Sequence, residues 1–285
     1  MRARALHADV IVLTSALLQL NCVLVRGIVD DSPAPSDPLK VIEVSAGAPD
    51  LPGAESFVID SPVLPEELEL LPSVLQQARF PAPSGLLATH ADWDHVLGPL
   101  AFPGTPLGCA ETTARRLVAV PGEAQRELRA FDEELYLERP RPLVLDLLQA
   151  LPVPGHCEIG SRRLELHPTE GHTADGMAIM VPWAGVLVAG DYLSAIEIPM
   201  LNPDGEAGAY VHTLERLRPL LAGIEHVVPG HGPVLDSAGA ERLLAEDLGY
   251  LRALLERGSE AELPPGRRSR EMRAIHARNA AALSG

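Results

Sequence analysis

Residues 89–95 read Thr89-His90-Ala91-Asp92-Trp93-Asp94-His95, directly behind a short apolar run that starts at Leu86 and that Gly85 opens. An apolar run of this length, bounded by glycine on one side and polar residues on the other, predicts a buried strand ending in a site. That strand delivers His90. Three later clusters repeat the arrangement: Gly171-His172-Thr173, Gly190-Asp191-Tyr192 and Pro229-Gly230-His231-Gly232. Imidazole and carboxylate are the ligands that zinc, manganese and iron take, and glycine-rich turns at strand ends let short side chains point into a shared cleft. Any one of these residues alone more often caps a turn. Their joint occurrence, in this order, is the signal.

Working outward, two strands are expected within residues 1–25, and a Pro-rich loop from Ser32 to Pro38 follows them. Ser56 to Ile59 is a strand that stops at Asp60, and Pro65 to Gln77 carries Leu68, Leu71 and Leu75 at helical spacing behind a proline suited to a helix start. A short strand and two helices fill Pro106 to Leu137, where Asp132, Glu133 and Glu134 read as a solvated face. From His156 the pattern turns β-rich, with apolar runs at Cys157 to Ile159, Leu164 to Leu166, Met177 to Val181 and Val186 to Ala189. Helices through Tyr210 to Leu221 and Leu243 to Leu255 flank a strand at Glu225 to Val228. Strands then helices, twice over, predict two α/β halves with their sheets face to face.

Composition narrows the function. In 285 residues, Asp plus Glu number 39 against 23 Lys plus Arg, a formal charge of -16, which repels a phosphate backbone and argues against nucleic acid as a partner. Hydrophobic residues at 46% and charged ones at 22% suit a globular chain with a real core. Three scattered cysteines, Cys22, Cys109 and Cys157, provide neither a disulfide framework nor a thiolate metal site, and point to a reducing cytoplasm. The uncharged run from Val10 to Val25 is too short and too polar to span a membrane, and it is read as strand rather than as a signal peptide.

With these four motifs in this order, the chain resembles the metallo-β-lactamase superfamily of metal-dependent hydrolases. The family's first motif, His-x-His-x-Asp-His after a strand, is matched at His90, Asp94 and His95. His172 in its Gly-His-Thr turn, Asp191 behind a glycine, and His231 in Pro-Gly-His-Gly match the later ones. The resemblance covers residues 10–256 and implies a four-layer αβ/βα sandwich. It divides the chain into a domain at 1–257 and a C-terminal helical tail at 258–285.

The same resemblance implies two divalent metal ions. His90, position 92 and His172 would hold one, Asp94, His95 and His231 the other, and Asp191 would bridge. The departure is Asp92, where the family has His; we read its carboxylate as a replacement ligand, the alternative being a site reduced to one ion. Zinc is the expected metal, with manganese or iron made more competitive by Asp92. Three carboxylates leave a first-shell charge of about +1 on two divalent ions, where the common pattern leaves about +2, so bound water is less acidified. Asp94 is the candidate catalytic base and Tyr192 the candidate substrate contact. Asp60 resembles the family's strand-terminal Asp near the metals, and Trp93 either lines the pocket or packs on the sheet edge.

The implied activity is hydrolysis of a small-molecule ester, thioester or lactone by a metal-bound hydroxide. The Trp-Asp-His ending of the first motif is similar to glyoxalase II, and β-lactams are disfavoured as substrates because no export signal is read. The alternatives are non-haem iron redox chemistry of the oxygenase or flavodiiron kind, and a non-catalytic binding protein on the same fold. In the tail, residues 266–285 hold five arginines and one glutamate, and Arg273, His276 and Asn279 recur every three residues. A solvated helix lying on the acidic domain is the favoured reading, ahead of a clamp for a substrate carboxylate.

Overall fold

The computed structural model describes residues 1–28 and 53–283, and the expected loop at Ser32 to Pro38 lies outside them. One sheet follows chain order: β1 (Arg2–His7), β2 (Val10–Thr14), β3 (Asn21–Gly27), β4 (Glu55–Ile59), β5 (Gly85–Leu87), β6 (Leu107–Ala110) and β7 (Leu148–Leu151). Its first four strands are antiparallel and β4 to β7 run parallel. The other sheet comprises β8 (Gly155–Ile159), β9 (Arg162–Pro168), β10 (Met177–Val181), β11 (Val186–Gly190), β12 (His226–Pro229) and β13 (Leu235–Asp236), again side by side in sequence order. Only β11 and β12 pair in parallel there.

Alternation along the strands builds the layers, because successive side chains leave opposite faces of a sheet. In β3, Val23 and Val25 join the core between the sheets, while Cys22 and Leu24 face the helices outside. In β11, Val186 and Val188 point inward and Leu187 and Ala189 outward. Helix α1 (Pro65–Gln77) covers the first sheet with Leu68, Leu71 and Leu75, followed by α2 (Gly98–Ala101), α3 (Glu111–Ala119) and α4 (Glu123–Leu135). The second sheet is covered by α5 (Ala207–Leu217), α6 (Ser237–Arg257) and α7 (Arg270–Ala282). These layers form the expected αβ/βα sandwich.

Three opening strands stand where two were expected. The extra one, β1, is an edge strand whose Arg2, Ala3, Arg4 and Ala5 are exposed, so it lacks an apolar face to announce it. Strand β7 was likewise unexpected, being half exposed along its length. Asp132 departs from the solvated reading, since Arg139 holds its carboxylate at 2.7 Å. The tail departs furthest: Met272, Ile275 and Ala280 enter the same core as α5 and α6, and Asn279 is fully buried.

Asp9 closes the turn between β1 and β2 and ties the two sheets together. Its Oδ1 accepts from Nε and Nη2 of Arg26 at 3.0 and 2.8 Å, and its Oδ2 accepts from Arg162 on β9 at 3.1 Å. Replacing Asp9 by alanine leaves the buried Arg26 guanidinium without its counter-charge, and is expected to cost about 3–5 kcal/mol. Urea unfolding measures this as a lowered midpoint at unchanged slope; a loss below about 1 kcal/mol would mean that water replaces the carboxylate.

Candidate metal centre

The motif residues converge because the strands that carry them end at one rim. Asp60 follows β4, His90 to His95 follow β5, His172 follows β9, Asp191 follows β11 and His231 follows β12. The parallel pairs β4–β5 and β11–β12 bring their carboxyl ends side by side. Backbone at this rim is tightly packed. Gly171 has φ 129°, and a Cβ there would lie 2.2 Å from the backbone of Tyr210. At Gly230 a Cβ would lie 2.1 Å from Oδ1 of Asp191.

Three groups of ligand atoms form, each within 4.8 Å: His90, Asp92 and His172; Asp94, His95 and His231; and His90, His95 and Asp191. Oδ2 of Asp191 stands 3.4 Å from Nε2 of His172, 3.5 Å from that of His231 and 3.9 Å from that of His90. Its Oδ1 is 3.2 Å from Nε2 of His95. Asp191 therefore lies between the other two groups.

Each imidazole is oriented from behind. Nδ1 of His172 bonds the Met200 carbonyl at 2.8 Å, and Nδ1 of His231 bonds that of Leu18 at 2.9 Å. A carbonyl only accepts, so these Nδ1 atoms carry a proton and Nε2 is the nitrogen that faces the cluster, free to ligate once its own proton is displaced. Nδ1 of His95 meets Asp60 at 2.8 Å, and Asp60 also accepts from the Thr89 amide and hydroxyl. Asp60 thus stands behind the cluster and steadies His95. Among the described residues, Nε2 of His90, His95 and His172 and Oδ1 of Asp191 are buried without a hydrogen-bond partner. Such orphaned atoms are costly unless something binds them, and a divalent cation fits this donor set.

Burial opposes charge on all these groups, yet their neighbours outweigh it. The carboxylates of Asp191, Asp60 and Asp94 hold His95 well above the ordinary imidazole range, hydrogen bonding and charge from Asp92 and Asp191 lift His172 to about 9, and Asp191 and Asp94 raise His231. In turn, His90 and His172 hold Asp92, and His231 and His95 hold Asp191, well below the carboxylate range. Protons thus take the place of a cation in this cluster. A metal displaces them, so its uptake is favoured as pH rises.

Asp92 is fixed by two residues that sequence reasoning missed. Nη2 of Arg116 lies 3.0 Å from its Oδ1, and Nδ2 of Asn202 donates to its Oδ2 at 2.6 Å. Arg116 also pairs with Asp175 at 2.9 Å, and Asp175 accepts from the Ala91 amide beside His90. The guanidinium returns a positive charge to a centre that the Asp in place of His makes more negative. Neither residue sits in a recognisable motif, so no local signal marks them.

Tyr192 is buried and does not line the cleft, contrary to the expected substrate contact. Its hydroxyl accepts from the backbone N–H of His172 at 3.1 Å, and its ring stacks on Tyr210 at 4.4 Å, so it braces the His172 turn from inside the core instead of meeting a substrate. Burial pushes its hydroxyl pKa up. Trp93 packs on Phe131 at 4.7 Å and also lines the cleft, combining both expected roles.

The cluster opens into a cavity of about 710 Å³. Trp93, Val120 and Phe131 form an apolar wall, while Glu123, Glu127 and Glu197 contribute carboxylates. Helix α7 adds Glu271, Ile275 and Arg278 to the lining. The face predicted from Arg273, His276 and Asn279 does not reach the cleft as a unit: Arg273 is exposed, His276 contacts the Tyr250 hydroxyl at 3.1 Å, and Asn279 points into the core. No helix among the described residues is long and apolar enough to cross a membrane.

A sandwich with histidines and aspartates gathered at its strand ends defines a metal-binding α/β fold of the hydrolase type. A sequence profile described as the metallo-beta-lactamase superfamily matches residues 81–231, and the chain belongs to that superfamily. No curated protein matches by sequence. Among solved structures, a metallo-beta-lactamase from Pontibacter korlensis is similar at TM-score 0.56 and 17% identity over 88% of this chain and 98% of that one. DIM-1 metallo-beta-lactamase is similar at TM-score 0.54 and 15% identity, covering 86% and 95%. TTHA1623, solved in a di-iron-bound form, has TM-score 0.54 and 21% identity, covering 81% and 97%.

Proposed function

We propose that this protein is a dinuclear metallohydrolase acting on a small-molecule ester, thioester or lactone. The observation that carries the proposal is the set of buried, partnerless Nε2 atoms arranged around Asp191 at the floor of an open cleft. His90, Asp92 and His172 would hold one ion, and Asp94, His95 and His231 the other, with Asp191 between them. Once bound, the ions supply Lewis acidity and a hydroxide nucleophile near neutral pH. Nitrogen and oxygen donors suit zinc, and the Asp92 carboxylate makes manganese or iron competitive.

The chain's own residues supply the rest. Asp94 lines the cleft and is positioned to accept a proton there. The Trp93, Val120 and Phe131 wall offers an apolar seat for an acyl group. Arg116 is committed to Asp92 and Asp175, so the carboxylates of the cleft leave a field that favours uncharged or cationic substrates over anionic ones. The three cysteines are free, in keeping with a cytoplasmic setting, and we expect neither nucleic acid nor membrane as a partner.

A second reading, iron redox chemistry at the same centre, draws on the Asp92 carboxylate and on the di-iron form of TTHA1623. One experiment separates the two. Protein purified without added metal or chelator is measured by elemental mass spectrometry, then assayed against a neutral aryl ester, a thioester, a lactone and a succinyl ester. The hydrolase reading expects about two equivalents of zinc or manganese, with neutral esters turned over faster than the succinyl ester. Iron with no turnover of any of the four would replace it with the redox reading, and a metal-free, inactive chain would overturn both.

A further inference from the structure

From Asp191 to Asn202 the chain crosses the rim of the centre without forming a helix or strand, so its backbone groups need partners from elsewhere. The C-terminal segment provides them. Nη1 of the buried Arg267 donates to the carbonyls of Ser194 at 3.2 Å and Glu197 at 2.8 Å, and lies 2.6 Å from the Asp247 carboxylate. Sδ of Met272 meets the Ile198 amide at 3.3 Å. Asn279, fully buried on α7, accepts from the Leu201 amide at 3.0 Å and donates to the Pro199 carbonyl at 2.7 Å and to the Tyr250 hydroxyl at 3.1 Å.

Asn279 thereby grips the backbone on both sides of Met200, the residue whose carbonyl orients His172. The next residue after this grip, Asn202, donates its amide to the His172 carbonyl at 2.9 Å and its side chain to Asp92. Two of the three members of the His90, Asp92 and His172 group are thus set by a four-residue stretch that Asn279 holds. The group of Asp94, His95 and His231 takes its orientation from Asp60 and Leu18 instead.

We propose that Asn279 is a positioning residue for one half of the metal centre: by fixing residues 199–202 it aims His172 and Asp92, and leaves the other half untouched. This rests on the two-ion reading above for its metal readout, but not for its ring-proton readout. A buried side chain anchored by three hydrogen bonds to packed neighbours fixes what it holds, and outer partners of metal-ligating histidines change affinity by about 10- to 100-fold when removed.

The test uses the full-length chain, with Asn279→Leu and the gentler Asn279→Asp, which keeps an acceptor for Leu201 but not the donor to Pro199. Leu254→Ala, a cavity in the same core, controls for loss of stability. Zinc titration against a chromophoric chelator should show two steps in the unmodified chain. In the Asn279 variants one step should weaken by about 10- to 100-fold while the other holds, and Leu254→Ala should keep both. Nitrogen-edited NMR of metal-free protein should find the Nδ1 proton of His172 protected from exchange in the unmodified chain and unprotected in Asn279→Asp. Retention of both zinc steps and of the protected proton by the Asn279 variants would overturn the proposal, as would loss of the same step in Leu254→Ala. If the unmodified chain takes up neither zinc nor manganese, the hydrolase reading falls and the ring proton alone decides the role of Asn279.

Discussion

Asp191→Ala is expected to lose both metals and all measurable hydrolysis, with activity down by roughly 10³-fold or more, because the acidification of bound water from pKa 15.7 to about 7 goes with the ions. One carboxylate spans both ligand groups: its Oδ2 lies 3.4 Å from His172 and 3.5 Å from His231, and its Oδ1 lies 3.2 Å from His95. Its removal also takes away a carboxylate that raises His95, His172 and His231, which favours their neutral forms but does not restore a bridge. Tyr192→Phe is the matched control, since that hydroxyl touches only the His172 amide among groups at the rim; it should keep its metal and lose about 1 kcal/mol of stability. Elemental analysis of the two purified variants, alongside their unfolding midpoints, checks both. Full metallation of Asp191→Ala would remove the bridging role.

The second large effect comes from a residue with no side chain. Gly230→Ala is expected to abolish metal uptake while the sandwich stays folded. The new methyl carbon would stand 2.1 Å from Oδ1 of Asp191 and 3.0 Å from the His95 ring, too close for either to remain in place. The carboxylate is the part that gives way, because it ends a side chain, whereas the backbone around Gly230 is pinned: its carbonyl accepts from the Asn21 amide at 2.7 Å and its amide donates to Gly190 at 2.6 Å. Activity should fall about as far as in Asp191→Ala, with circular dichroism unchanged. Normal metal content in Gly230→Ala would mean that Asp191 tolerates displacement and is not needed where it stands.

What the sequence revealed of this molecule depends on how each feature contrasts with its surroundings. His90, Asp191 and His231 stand out because each closely follows a short apolar run, His172 because it sits in a Gly-His-Thr turn, and the cluster they form follows from strands whose ends share a rim. Helix α1 is legible to the residue, since Pro65 opens it and leucines mark its inner face. Arg116 and Asn202 are illegible for a physical reason: their partner Asp92 is distant along the chain, 110 residues away for Asn202, and nothing local distinguishes them from surface polar residues. The tail misleads by its composition. Three-residue spacing of Arg273, His276 and Asn279 suggests one polar face, but Met272, Ile275, Asn279 and Ala280 are the residues buried, so the helix is turned by its few apolar side chains and the arginines are carried along.

The centre is also a seam. His90, Asp92, Asp94 and His95 come from the first sheet's half of the chain, His172, Asp191 and His231 from the second, and Leu18 near the start holds His231 in place. Around that contact, Asn21 donates to the carbonyls of Pro229 and Gly232, and Gln19 accepts from the Gly232 amide. An ion seated there would add a further tie between halves already joined by apolar packing and by the Asp9–Arg162 pair, worth about 4 kcal/mol at a thousandfold excess over its Kd. The candidate ligands and the groups that aim them run from Leu18 to Asn279, so a chain still emerging or half collapsed holds no competent centre.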